Sequence, residues 1–340
     1  MPCSDGGPED VVGKFAVVST ILLTLGSATR AQDPAPQLRS GQAPGDRVFR
    51  STASVVALNV TVTDGDKLVT GLDAADFEVY EDNVQQEVSF FESTDVPLDV
   101  ILLLDTSSSM RDRMPVVHDA AKGFMQILRP GDRGAIVAFD DKVRVLQDLT
   151  GDRSAIEEAI ASTTARGSTS LNDAVYIALK QFGRTARAGG EVRRQAIALL
   201  SDGQDTSSLI SLSDVVAVAR RLGVSIYAIG LQSEYRNRQP RRSEVQFTEA
   251  AYALKMLARE TGARTFFPAN EHQLKDVYEA IAGELEAQYS IGYTPTNAHA
   301  DGQFRRVTVR VPGNPSFRPR TRLGYTAVST ANVDMPPILR

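Results

Sequence analysis

Asp105, Ser107 and Ser109 form a D-x-S-x-S pattern: one carboxylate and two hydroxyls at alternate positions, directly after the apolar run Leu98–Leu104. All three are hard oxygen donors with too little charge to cage a cation alone. That suits Mg²⁺ or Mn²⁺, because such an ion keeps several waters and leaves a place for an oxygen from elsewhere. Taken singly, Ser107 and Ser109 are equally well explained as helix N-caps. Two more oxygen donors stand further along the chain. Asp202 follows Gln195–Leu200, with Gly203 behind it to permit a sharp turn; alone it reads as a turn residue. Thr169 lies in the Gly-containing stretch Arg166–Asp173, just ahead of a helical pattern.

Whether these donors meet depends on the elements that carry them. Leu98–Leu104, Gly134–Phe139, Gln195–Leu200 and Val224–Gly230 are nearly continuous apolar runs, the pattern of strands covered on both faces. Helical periods lie between them. Leu171, Ala174, Val175, Ala178 and Leu179 form one apolar face, and Leu212, Val215, Val216, Ala219 and Leu222 another. The second is opened by Ser211 and Asp214 as a capping box and closed by Gly223. A longer helix is expected at about 272–288. Strands alternating with helices imply an α/β unit with a doubly wound, mostly parallel sheet. Ligands of such sheets bind beyond the carboxyl ends of the strands at a topological switch point, so Asp105 and Asp202 are expected on one rim.

The flanks change period. Leu58, Val60 and Val62 alternate with Asn59, Thr61 and Thr63; Phe77–Asn83 and Val84–Phe91 continue this, and Val307, Val309 and Val311 resume it near the end. Segments of this size make poor independent sandwiches. The expectation is one small split β-sandwich, residues 47–95 and 285–328, with the α/β unit of 96–284 inserted in it.

A D-x-S-x-S, a loop Thr and a strand-end Asp, in that order, resemble the von Willebrand factor A family and its metal-ion-dependent adhesion site, found in integrin inserted domains. The resemblance covers roughly 96–284 and includes all five coordinating positions. Gly71-Leu72 before Asp76–Asp82, and Gly292-Tyr293, look similar to secreted bacterial proteins called VWFA-related. The likeness implies that Ser107, Ser109 and Thr169 offer hydroxyl oxygens to a metal. It also implies that Asp105 and Asp202 act directly or through water, and that a Glu or Asp carboxylate from a protein partner completes the octahedron.

Other residues bound the reading. Phe15–Leu25 is an apolar run of signal-peptide length followed by the small residues Gly26–Ala31, although Asp5, Glu9 and Asp10 make an unusually acidic start. Residues 1–31 are therefore expected to be a signal peptide, 32–46 a disordered linker and 329–340 a disordered tail, giving an exported protein with no stable membrane span after cleavage. Cys3 is the one cysteine, so no intramolecular disulfide is possible. A net charge of -5 gives no electrostatic case for nucleic acid. Asp140, Asp141 and Asp205 read as solvated loop carboxylates, with support of the metal's outer shell as the alternative, and Asp173 as a first-turn helix acid. The run Glu234–Arg242 reads as a solvated loop on the rim; a sharper reading makes Arg236, Arg238, Arg241 and Arg242 recruiters of an acidic partner. His118, His272 and His299 lack metal-ligand spacing. Two alternatives to a metal-dependent, non-enzymatic binding module stand open. One is a phosphoryl-transfer enzyme with Asp105 as nucleophile, although Ser107 occupies the position where haloacid-dehalogenase-like phosphatases have a second acid. The other is a structural envelope protein with an inactive site.

Overall fold

The β-strands that flank the chain's centre are the ones with period-two sequences, and they pair across a long sequence gap. A computed structural model describes residues 55–93, 96–187, 193–202, 205–231 and 240–327, without the side chains of 184–187 and 240–248. The expected signal peptide, linker and tail lie outside these residues. The first flank contributes β1 (Val56–Asp64), β2 (Lys67–Leu68), β3 (Glu78–Glu81), β4 (Val84–Gln86) and β5 (Val88–Glu92). The run expected as one strand to Asn83 stops at Glu81, because Asp82 and Asn83 both take positive φ in a two-residue hairpin turn.

The central unit follows. It comprises β6 (Leu98–Asp105), α1 (Met114–Gln126), β7 (Arg133–Phe139), β8 (Val143–Thr150), α2 (Arg153–Ala161) and α3 (Leu171–Arg187). It continues with β9 (Arg194–Ser201), α4 (Leu212–Leu222), β10 (Ser225–Gly230), α5 (Pro240–Glu260), β11 (Thr265–Phe266) and α6 (Leu274–Glu286). The last flank supplies β12 (Tyr289–Tyr293), β13 (Phe304–Arg310), β14 (Phe317–Arg320) and β15 (Gly324–Thr326).

The central sheet runs β11-β10-β9-β6-β7-β8, parallel except for β8 against β7. All eight residues of β6 are buried, and its alternation sorts them. Leu98, Val100, Leu102 and Leu104 face the core shared with α1, α2 and α6; Ile101 and Leu103 face the core of α3, α4 and α5. Each fully buried leucine of this kind contributes roughly 1.5–3 kcal/mol, so the strand that carries Asp105 is anchored on both faces. The chain winds from β6 to β7 and β8 on one side, then crosses to β9, β10 and β11 on the other. The switch point lies between β6 and β9.

The flanks form two antiparallel sheets, β14-β1-β12-β5, with β2 joined to β1, and β15-β13-β3-β4. Their inner faces share one core, including Leu58, Val60, Val79, Tyr289, Ile291, Val307 and Val309. The fold is therefore a doubly wound α/β unit inserted in a split β-sandwich. The chain leaves the sandwich on β5 and returns on β12, and these two strands lie side by side.

Local signals in the sequence explain the helix ends. Ser211 Oγ accepts from the Asp214 amide, and Gly223 closes α4 at φ 71°. Helices α1, α2 and α5 were not among the sequence expectations. α5 begins at Pro240, so Arg241 and Arg242 fall in its first turn rather than in a loop. Arg236 and Arg238 lie outside the described residues. Among the described residues no helix is long and apolar enough to cross a membrane.

Candidate metal centre

Asp105 ends β6 and Ser201 ends β9, with Asp202 directly after it; these are the two strands at the switch point. Asp105 is fully buried, and both of its carboxylate oxygens are held: the Ser107 amide donates to Oδ1 at 2.8 Å and the Ser201 hydroxyl to Oδ2 at 2.6 Å. Ser107 stands at the N-cap of a 3-10 turn, Ser108–Arg113, yet makes no side-chain cap bond. Its Oγ instead lies 3.0 Å from Ser109 Oγ. Ser109 Oγ in turn donates to Asp202 Oδ1 at 2.8 Å, and Arg113 donates to Asp202 Oδ2 at 3.0 Å. Ser107, Ser109 and Asp202 thus form one run of hydrogen-bonded side-chain oxygens, and Asp105 joins it through the Ser107 backbone amide.

Thr169 arrives on a docked loop. The Ser108 amide donates to Gly167 O and the Arg166 amide to Thr106 O, so the loop is tied to the residues on either side of Ser107. Gly167 has φ +69°, and a Cβ there would meet Asp141 Oδ1 at 2.7 Å. Thr169 is buried; its amide is bonded to Thr206 Oγ1, and its carbonyl accepts from the Thr206 and Ser207 amides.

Asp140 corrects the sequence expectation. It is fully buried rather than solvated, because Arg144 grips both of its carboxylate oxygens at 3.0 and 2.7 Å and Arg166 adds a bond at 3.2 Å. Burial by itself raises its pKa. The bonds from Arg144, the Lys142 amide, Asp141 and Arg166 together outweigh that and hold the carboxyl well below the usual carboxylate range. Asp140 also braces the Thr169 loop, since its carbonyl accepts from both the amide and the hydroxyl of Ser170. Asp173 does sit in the first turn of α3, where it captures the Leu209 and Ile210 amides, and Asp205 accepts from the Ser208 and Asn172 amides. Both fasten the loop before α4. Arg113, Ser201 and Thr206 were missed by sequence reading.

The donor set fits a hard divalent cation. It is all oxygen, it has two carboxylates, and four of the five residues are buried, Ser109 being the exposed one. Burial and the neighbouring charge of Asp202 push the Asp105 carboxyl up to about 6; burial likewise raises Asp202, against the pull of Ser109 and Arg113. Two buried carboxylates that disfavour each other's ionisation are what a cation between them would neutralise. Among the described residues no cluster of three or more His, Cys, Asp or Glu is positioned to hold a metal ion; the rest of this donor set is hydroxyls.

Comparison with known proteins agrees with this architecture. The family model for the von Willebrand factor type A domain matches residues 99–280. A UPF0353 protein of Mycolicibacterium paratuberculosis is 29% identical over 199 residues, covering 55% of this chain and 60% of that protein. A UPF0353 protein of Mycobacterium tuberculosis is 26% identical over 222 residues, covering 61% and 64%. The chain thus spans about three-fifths of the length of these curated relatives. Among solved structures, a von Willebrand factor type A protein from Catenulispora acidiphila aligns with TM-score 0.47 and 16% identity, over 82% of this chain and 64% of that one. Proximal thread matrix protein 1 from the mussel byssus, with a zinc-occupied MIDAS motif, aligns with TM-score 0.47 and 19% identity, over 60% and 49%.

Proposed function

Because this chain belongs to the von Willebrand factor type A domain family, we propose that it is a non-enzymatic, Mg²⁺-dependent protein-binding module of an exported protein. The observation that carries the reading is that Asp105, Ser107, Ser109 and Asp202 are joined by consecutive hydrogen bonds at the switch point, Asp105 through the Ser107 amide and the others through their side-chain oxygens, with the Thr169 loop docked beside them. Asp105, Ser107, Ser109, Thr169 and Asp202 would hold the ion, Mg²⁺ or Mn²⁺. When bound, the ion supplies an electrophilic centre that accepts one more oxygen, from a Glu or Asp of the partner. Asp105 is held through both oxygens, which suits an orienting ligand better than an attacking nucleophile. The apolar run Phe15–Leu25 supports export.

The test is a pull-down from a cell-envelope fraction with the full chain as bait, run with Mg²⁺ and with chelator, alongside calorimetric titration of Mg²⁺. Asp105→Ala is expected to lose both ion binding and Mg²⁺-dependent capture while its circular dichroism stays native. Capture that survives chelator and Asp105→Ala alike would sink the proposal.

A further inference from the structure

Arg113 stands where a cation is not expected. It ends the Ser108–Arg113 turn and is the N-cap of α1, the helix end at which the backbone dipole opposes positive charge. Its side chain is only 10% exposed, and it pairs with Asp202, whose side chain is 2% exposed. Removing a guanidinium from water to that degree is costly unless its charge is used. Ser109 donates to Asp202 Oδ1 and Arg113 to Oδ2, a bond that a neutral donor could also make. What Arg113 supplies beyond a hydrogen bond is one buried positive charge on a carboxylate of the site.

We propose that Arg113 is a positioning residue that sets the net charge of the metal centre, making the site selective for an anionic oxygen ligand at the cost of holding its ion less tightly. The inference rests on the metal-grip reading above. Asp105 and Asp202 together would cancel the formal charge of a divalent ion, so a carboxylate would meet a centre without net positive charge. The Arg113 guanidinium restores one positive charge. The partner's oxygen is then favoured over water when it is a carboxylate rather than a neutral carbonyl or hydroxyl. The same charge repels the ion itself, so the two affinities are linked with opposite signs.

That opposition separates this role from a merely structural one. The full chain is loaded with Mn²⁺, followed by water-proton relaxation, and then titrated with acetate as the carboxylate probe and acetamide as its neutral counterpart. Arg113→Met is expected to bind Mn²⁺ about tenfold more tightly and acetate about tenfold more weakly, with acetamide unchanged. Arg113→Lys, which keeps the charge, should stay near the wild type on all three. Arg113→Gln, a smaller change that keeps a donor for Asp202, should follow Arg113→Met and serves where that variant melts early. If Mn²⁺ and acetate weaken together in the Met and Gln variants, Arg113 only props Asp202 in place and the proposal is wrong. It is equally wrong if neither affinity moves. A wild-type chain that binds no Mn²⁺ removes the metal-grip reading itself, and this inference with it.

Discussion

Asp140 shows how a single residue was readable in type but not in role. Its place after the buried run Gly134–Phe139 repeats the placing of Asp105 and Asp202, and that repetition was the signal available in the sequence. Its arginine partners were not legible, because Arg166 reaches it only once the Thr169 loop has docked. The same holds for Arg113, whose partner Asp202 is 89 residues away. Asp105 and Asp202 were legible because each sits at a local break between apolar run and polar loop, and Thr169 because its loop comes in the order the family pattern requires. Because the Asp140 carboxyl is held below its ordinary pKa, the sign of its pH effect is fixed. Its stabilisation is present above the unfolded value, about 3.9, and is lost as pH falls through the lower folded value. Asp140→Asn should cost about 1–3 kcal/mol at pH 7, discounted because both arginines are partly exposed. In urea melts the gap to wild type should narrow by pH 3; a gap that widens there contradicts the assignment.

Among the elements, α5 was the least legible. Its first half, Pro240–Thr248, carries Arg241, Arg242 and Glu244 and no clear apolar period, while Leu254, Leu257 and Ala258 in its second half are buried. The central strands were legible because burial on both faces leaves them few polar residues, mostly at their ends, to confuse the pattern. α5 ends in a turn that admits only glycine. Gly262 has φ +77°, and a Cβ there would lie 2.4 Å from the Thr321 carbonyl carbon and 2.5 Å from the Arg322 amide. Both obstacles are backbone and have no rotamer to yield. Gly262→Ala is therefore expected to lower stability by more than about 2 kcal/mol, read as a drop in thermal midpoint. By contrast, Gly65→Ala meets nothing within 4 Å and carries only the strain of its φ of +59°.

At the scale of the molecule, the inserted unit and the sandwich are joined by buried polar ties. Glu284 of α6 is buried and pairs with Arg264 at 2.9 Å and with Arg320 of β14; Arg320 also donates to Gly262 O, and Arg322 to Arg220 O. Such ties make separate unfolding unfavourable, because either half would strand charged partners of the other. Hydrogen exchange in rising urea should show β1 and β12 losing protection at the same concentration as β6 and β9. Glu284→Ala should lower both together, whereas two well-separated transitions would contradict the coupling. This partnership lay beyond sequence reading, since it joins a helix face to a strand whose charges look solvated in isolation.

The adjacency of β5 and β12 has a mechanical meaning. Asp105 lies at the far end of an eight-residue strand, about 23 Å from its start, and that start follows closely on β5. A pull on anything gripped at the rim is carried down β6 to β5 and through α6 to β12, two neighbouring strands drawn from the same end. β12 is laddered to β1 from Tyr289 to Tyr293, with its bonds across the line of pull. Were β1 held from its Val56 end, those bonds would be loaded together in shear instead of parting one after another. The two connections to the inserted unit are thus fixed to a single ladder of the sandwich.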